Sequence, residues 1–252
     1  MIEDFPHRIG TTSIPWTDKL FKVNDNSKLL DEERKSTFHT FVMKAMFLCK
    51  RARPDIEPAV SFLATRTASP NEDDWNKLLK VLSFLNSTID DVLKIAADEF
   101  TKLHWYIDAS FAVHPDMKSH TGSIFTLGYG AIISASTKQK VNSRSSTEAE
   151  LNGVDDRISK VLWTKRFIES QGHKVQLNVI YQDNTSTIKL QENGKASCGK
   201  RTRHFDIKLF YITDLIGRDE VQVEYCPTDM MIADYRTKRT TGRKFKMFLM
   251  NL

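Results

Sequence analysis

The chain has 252 residues, 40% hydrophobic and 27% charged, with a formal net charge of +5. That length and balance suit a soluble, folded chain of one large or two small domains. The longest apolar runs, residues 41–49 and 129–135, are far too short to cross a bilayer.

Residues 1–30 mix Pro6, Pro15 and Gly10 with several Asn and Ser and little periodicity, which predicts an irregular lead-in. The opening Met1-Ile-Glu-Asp-Phe-Pro has neither a basic nor an apolar region, so no signal peptide is expected. A helix is predicted over residues 32–50, with Phe38, Val42, Ala45, Met46 and Cys49 on one face. A second should follow Pro54-Asp55, carrying Ile56, Ala59, Val60, Phe62 and Leu63. Ser69-Pro70-Asn71 should cap a third, with Trp75, Leu78, Leu79, Leu82 and Leu85 along its core stripe. Residues 31–100 therefore read as a small helical module.

After residue 100 the period changes. Leu103, Trp105 and Ile107 alternate across a strand at 102–109, and residues 123–135 supply one or two more, with Gly128 and Gly130 marking a turn or bulge. Ser145-Ser146-Thr147 caps a helix reaching about Gly172, its start holding Glu148 and Glu150. A short buried strand is expected at 177–182, then a helix at 185–192 capped by Asn184. A helix at 203–216, a strand at 221–226 and a last helix from near Met230 complete the order. Three strands, helix, strand, two helices, strand and helix predict an α/β chain with a mixed sheet flanked by helices.

Four carboxylates stand out. Asp108, Asp183 and Asp234 end apolar runs, and Glu150 sits in the first turns of a helix, where a bare carboxylate is costly unless paired. Acids converging at strand ends can hold two divalent ions roughly 3.5–4 Å apart, the apparatus of in-line phosphodiester cleavage. The charge is also uneven. Residues 1–100 carry 14 Lys and Arg against 16 Asp and Glu, whereas residues 101–252 carry 23 against 16. The basic residues gather at Lys195, Lys200, Arg201, Arg203 and Lys208, and again at Arg236, Lys238, Arg239, Arg243, Lys244 and Lys246. A basic surface around an acidic centre suits a polyanion held by its phosphates. Three scattered cysteines, Cys49, Cys198 and Cys226, fit neither a disulfide framework nor a zinc site, and predict the reduced thiols of an intracellular protein.

Arg144-Ser-Ser-Thr-Glu-Ala-Glu150, Asp183-Asn184, Arg201-Thr-Arg-His-Phe-Asp206 and Pro227-Thr through Ala233-Asp-Tyr-Arg-Thr-Lys238 resemble the ribonuclease H domain of copia-type retrotransposon polyproteins. Arg53-Pro-Asp55 and the Trp75-to-Leu85 helix resemble the end of the reverse transcriptase and its connection to that domain. The resemblance covers residues 25–245. It implies a ribonuclease H-like fold over 101–252, preceded by a thumb or connection remnant over 31–100. The implied activity is cleavage of the RNA strand of an RNA–DNA hybrid within a polyprotein that also carries the upstream polymerase region. Asp108, Glu150, Asp183 and Asp234 match the metal-binding acids, with two Mg²⁺ ions as cofactor and Mn²⁺ as the alternative. Asp108 would bridge both ions. Glu150 and Asp183 would hold the one facing the leaving oxygen, and Asp183 and Asp234 would shape the one that activates water. Lys200, Arg201, Arg203, Arg236, Lys238 and Arg239 are the expected nucleic-acid contacts. The setting implied is intracellular: cytoplasm, virus-like particle or nucleus.

Glu148 and Glu150 differ by about 200° around a helix, so both cannot enter one site. Glu150 flanks the buried stripe and precedes Leu151, the pairing the resemblance favours, which leaves Glu148 as a capping acid. Two features depart from related enzymes. No histidine lies in the short loop before Asp234, and His204, at a predicted helix start, reads as a cap or packing residue. No aspartate pair sits in a strand turn: Asp90-Asp91 and Asp155-Asp156 read as solvated acids, so no polymerase chemistry is expected and the chain looks like a carboxy-terminal fragment. The competing readings are a decayed copy that binds nucleic acid without cutting it, another nuclease or integrase of the same fold, and a structural module whose acids pair with Lys and Arg.

Overall fold

A computed structural model describes residues 1–194, 206–238, 240, 242 and 245. Lys195, Cys198, Lys200, Arg201, Arg203, His204, Arg239, Arg243, Lys244 and Lys246 lie outside the described residues. The described residues form two compact units, one comprising residues 1–93 with Thr240, Gly242 and Phe245, the other residues 94–194 and 206–238.

In the first unit, α1 (Glu32–Arg51) starts at Asp31, whose side chain accepts from the Arg34 N–H at 2.8 Å. Phe38, Phe41, Val42, Ala45 and Cys49 form its buried face; Met46 lies at the margin. A single 3₁₀ turn (Pro54–Ile56) leads into α2 (Glu57–Ala64), with Ile56, Ala59, Val60, Phe62 and Leu63 buried. α3 (Glu72–Ser87) opens on a capping box: Asn71 accepts from the Asp74 N–H, and Asp74 accepts from the Asn71 N–H. Its buried stripe is broader than predicted, taking in Val81 and Phe84, while Leu79 is only half-buried.

The lead-in has no helix, yet it is anchored. Phe5 packs edge-on to Phe41, and Trp16 packs edge-on to Phe245 while its indole N–H donates to the Thr240 carbonyl at 3.1 Å. Large aromatic rings fix an irregular backbone by burial where repeating hydrogen bonds are missing.

The second unit is built on a five-stranded mixed sheet of order β5-β3-β2-β6-β7. β2 (Lys102–Ser110), β3 (His120–Thr126) and β5 (Ile133–Lys138) pair antiparallel; β6 (Leu177–Gln182) and β7 (Gln222–Tyr225) continue parallel from β2. Two short strands missed in the sequence, β1 (Ala96–Ala97) and β4 (Gly128–Tyr129), form a separate antiparallel pair. Leu103, Trp105 and Ile107 on β2 bury against Val154, Ile158 and Val161 of α4 (Ser146–Ser170). Strand alternation then turns His104, Tyr106 and Asp108 to the opposite face. α5 (Thr185–Asn193) and α6 (Asp206–Gly217) follow β6.

The helix that carries Asp234, α7, is a four-residue stub, Asp234–Thr237, preceded by turns rather than starting near Met230. This α/β architecture, a mixed sheet with helices, is the one the order of elements predicts. No helix among the described residues is long and apolar enough to cross a membrane. Cys49 and Cys226 are buried.

Candidate functional site

Three strand and helix ends meet in the second unit. Asp108 lies near the end of β2, Asp183 directly follows β6, and Asp234 opens α7. Gln182 keeps the two parallel strands in step by donating its side-chain amide to the Ile107 carbonyl at 3.0 Å, one residue before each aspartate. One carboxylate oxygen from each of Asp108, Asp183 and Asp234 lies within 4.8 Å of the others. Asp108 and Asp234 are buried, and Asp183 is half-buried.

Glu150 comes up beside this triad from the second turn of α4 without joining it. Its Oε1 accepts from Asn184 Nδ2 at 3.0 Å, and its Oε2 from the Thr187 hydroxyl at 3.1 Å. Glu148 turns away: Ser145 Oγ accepts from its N–H, and its own carboxylate accepts from the Arg144 N–H. The two glutamates are equally buried, and their hydrogen bonds place them in different roles, as their angular separation requires.

The electrostatics arise from acids crowded out of water. Burial pushes the Asp108 carboxyl up to about 6; the Lys238 ammonium opposes the rise, Asp234 adds to it and the Thr237 hydroxyl opposes it. Burial pushes Glu150 up to about 7; Asn184 and Thr187 hold it down, while Asp108 and Asp183 add to the rise. Lys238 stands between two of the acids, its Nζ 2.6 Å from Asp234 Oδ1 and 3.5 Å from Asp108 Oδ2. Burial would lower the Lys238 ammonium, but the Asp108 and Asp234 carboxylates outweigh it and raise its pKa. Thr237 donates to Asp108 Oδ2, and Thr228 donates to Asp183 Oδ2 at 3.1 Å.

β3 has no side chain where α7 crosses it. A Cβ on Gly122 would come within 2.5 Å of Arg236 Cβ, 2.7 Å of Thr237 Cγ2 and 2.9 Å of the Ala233 carbonyl oxygen. A glycine inside a strand is a known sign of such an approach; Gly122 carried that signal in the sequence as plainly as Gly128 and Gly130. Thr187 and Gln182 carried no local signal; Asn184, Thr228 and Thr237 stood within the words that carry the resemblance, but nothing there marked them as partners of the acids beyond the reading of Asn184 as a helix cap.

The expected nucleic-acid contacts divide. Arg236 is fully buried, its guanidinium over the Tyr235 ring at 5.3 Å, because α7 is pressed onto the sheet with this side chain beneath it. It is not a surface residue that could meet a phosphate, which corrects the expectation. Lys238 is half-exposed but already engaged by the acids. Lys200, Arg201, Arg203 and Arg239 are outside the described residues. Lys208 bonds Asn152 Oδ1 at 2.7 Å and pairs with Asp155 at 3.0 Å, tying α6 to α4. Asp90 and Asp91 are exposed.

The chain is 30% identical over 214 residues to the Retrovirus-related Pol polyprotein from transposon TNT 1-94 of Nicotiana tabacum, a match covering 84% of the chain and 16% of that protein. It is 32% identical over 200 residues to the corresponding polyprotein from transposon RE2 of Arabidopsis thaliana, covering 78% and 14%. The chain is homologous to one segment of retrotransposon Pol polyproteins. The Transposon Ty1-NL2 Gag-Pol polyprotein of Saccharomyces cerevisiae matches over 93% of the chain at 25% identity. The chain thus spans about one-sixth or less of these polyproteins. No family model matches it. Among solved structures, LC11-RNase H1 isolated from compost aligns at 14% identity and a TM-score of 0.40, over 54% of this chain and 92% of that one. RNase H1 from Halobacterium salinarum aligns at 12% and 0.32, over 52% and 90%. Both overlaps are too loose to bear on function.

Proposed function

We propose that the second unit of this Pol homologue is a metal-dependent ribonuclease H that cleaves the RNA strand of RNA–DNA hybrids, acting in the setting of an intracellular retrotransposon polyprotein with an upstream polymerase region. One observation carries the reading: oxygens of Asp108, Asp183 and Asp234 converge within 4.8 Å on strand and helix ends, with Glu150 alongside. The residues fit divalent cations. The donors are all hard oxygens, which suit Mg²⁺ or Mn²⁺. Once ionised, the three aspartates carry more negative charge than the single Lys238 ammonium among them offsets.

Asp108, Asp183 and Asp234 would hold the metal, with Glu150 on its flank. Divalent ions bound in such a cluster supply an activated water and stabilise charge on the phosphate. The chain's own contribution is positional. Gln182 fixes the register of Asp108 and Asp183, Gly122 lets Asp234 close on them, and Thr237 and Thr228 orient individual oxygens. Discrimination of RNA from DNA would rest on the ribose hydroxyl and helix shape rather than on base edges.

The test is cleavage of an end-labelled RNA–DNA hybrid with Mg²⁺ or Mn²⁺ by the full chain and by Asp183→Asn. Metal-dependent cutting of the RNA strand, lost in the variant, is the expected result. Equal behaviour of the two proteins ends the proposal, and hybrid binding without cleavage points to a decayed copy.

A further inference from the structure

The Asn184 side chain is engaged at both ends. Its Oδ1 accepts from the N–H groups of Ser186, at 2.9 Å, and Thr187, at 3.3 Å, capping α5. Its Nδ2 donates to Glu150 Oε1 at 3.0 Å. Thr187, in the turn so capped, donates its hydroxyl to the other Glu150 oxygen at 3.1 Å. One helix turn therefore grips both oxygens of a buried carboxylate, and that turn begins at the residue after Asp183.

Capping alone does not require asparagine, because Ser or Asp supplies the same acceptor. The amide differs in offering an acceptor and a donor at once, one for the helix and one for the carboxylate. A glutamate side chain left free would spread over several rotamers. Two donors from a single turn remove that freedom and tie the acid on α4 to the strand end that carries Asp183.

We propose that Asn184 is a positioning residue for Glu150, holding it in fixed relation to Asp183 so that the two acids act on the metal site as one body. The consequence for cleavage rests on the proposed nuclease function; the clamp itself does not. Asn184→Ser keeps a capping oxygen and removes the amide, and Thr187→Val removes the other donor should the first variant fold poorly.

Full-length parent, Asn184→Ser, Glu150→Gln and the double variant are melted in EDTA. The expected Tm changes are non-additive by about 2–4 °C, since Glu150→Gln no longer presents a carboxylate to the amide. In Asn184→Ser the Mn²⁺ half-saturation point, followed by the electron paramagnetic resonance of free Mn²⁺, should rise about tenfold, and kcat on a hybrid should fall by about as much. KM for the hybrid should stay within about twofold. Additive melts would show that no clamp exists. Non-additive melts with unchanged Mn²⁺ half-saturation and kcat would reduce the contact to packing and overturn the positioning role. A parent that never cuts hybrid, yet whose Mn²⁺ binding weakens in Asn184→Ser, would count against the nuclease reading and for the clamp.

Discussion

Asp108 on β2 lies directly across the sheet from Gly122 on β3, and the empty place at Gly122 is filled by the backbone and first side-chain carbons of α7. The register of one antiparallel pair therefore decides whether Asp234 can reach Asp108. A strand position that looks featureless carries a requirement as strict as that on the acids themselves.

Gly122→Ala should cost about 1–3 kcal/mol, because its Cβ meets backbone and Cβ atoms that cannot swing aside. Equilibrium unfolding in urea checks the cost. The same variant should lose the Mn²⁺-induced rise in Tm, since displacing α7 carries Asp234 away from Asp108 and Asp183.

Glu150→Gln should stabilise the metal-free protein at pH 8 and leave it unchanged at pH 4. In the folded chain Glu150 keeps its proton up to about pH 7, whereas unfolded it gives it up near the ordinary value of 4.5. Between those values the folded state binds more protons, so this group's contribution to stability falls as pH rises and its penalty is complete above pH 7. Glutamine carries no such penalty, and the gain should be on the order of 2 kcal/mol. Melts in EDTA across this range decide it; a variant no more stable than the parent at pH 8 rules the argument out.

Lys238→Met should lower stability in EDTA by about 1–3 kcal/mol, because it takes a cation away from the neighbouring Asp108 and Asp234 carboxylates. Millimolar Mg²⁺ should recover most of that loss, and should stabilise the variant more than it stabilises the parent. Paired thermal melts with and without Mg²⁺ give the comparison.

Metal binding should tighten steeply from pH 6 to pH 8. Asp108, with its carboxyl pushed up to about 6, must lose its proton to serve as a ligand, and Glu150 beside it loses its own near 7. Mn²⁺ titrations at three pH values, with Asp183→Asn as the non-binding reference, would expose a flat profile if the acids were already ionised.

Trp16→Ala should destabilise the first unit by about 3–5 kcal/mol, as a buried indole and its hydrogen bond to Thr240 are lost together. Guanidinium unfolding monitored by far-ultraviolet circular dichroism would reveal a change this large.

Alternation at Leu103, Trp105 and Ile107, the caps at Ser145 and Asn184, and the four stranded acids were all legible in the chain, because period and capping are local properties of neighbouring residues. So was the α/β order of elements. Tertiary structure alone decided the rest. It drew Asp108, Asp183 and Asp234 together while leaving Glu150 in the grip of Asn184 and Thr187. It buried Arg236, set Lys238 against Asp108 and Asp234 as a counter-ion and anchored an irregular lead-in through Trp16. These outcomes depend on groups far apart in the chain meeting at short range, where burial and charge compete, and no local pattern of residues encodes which of them wins.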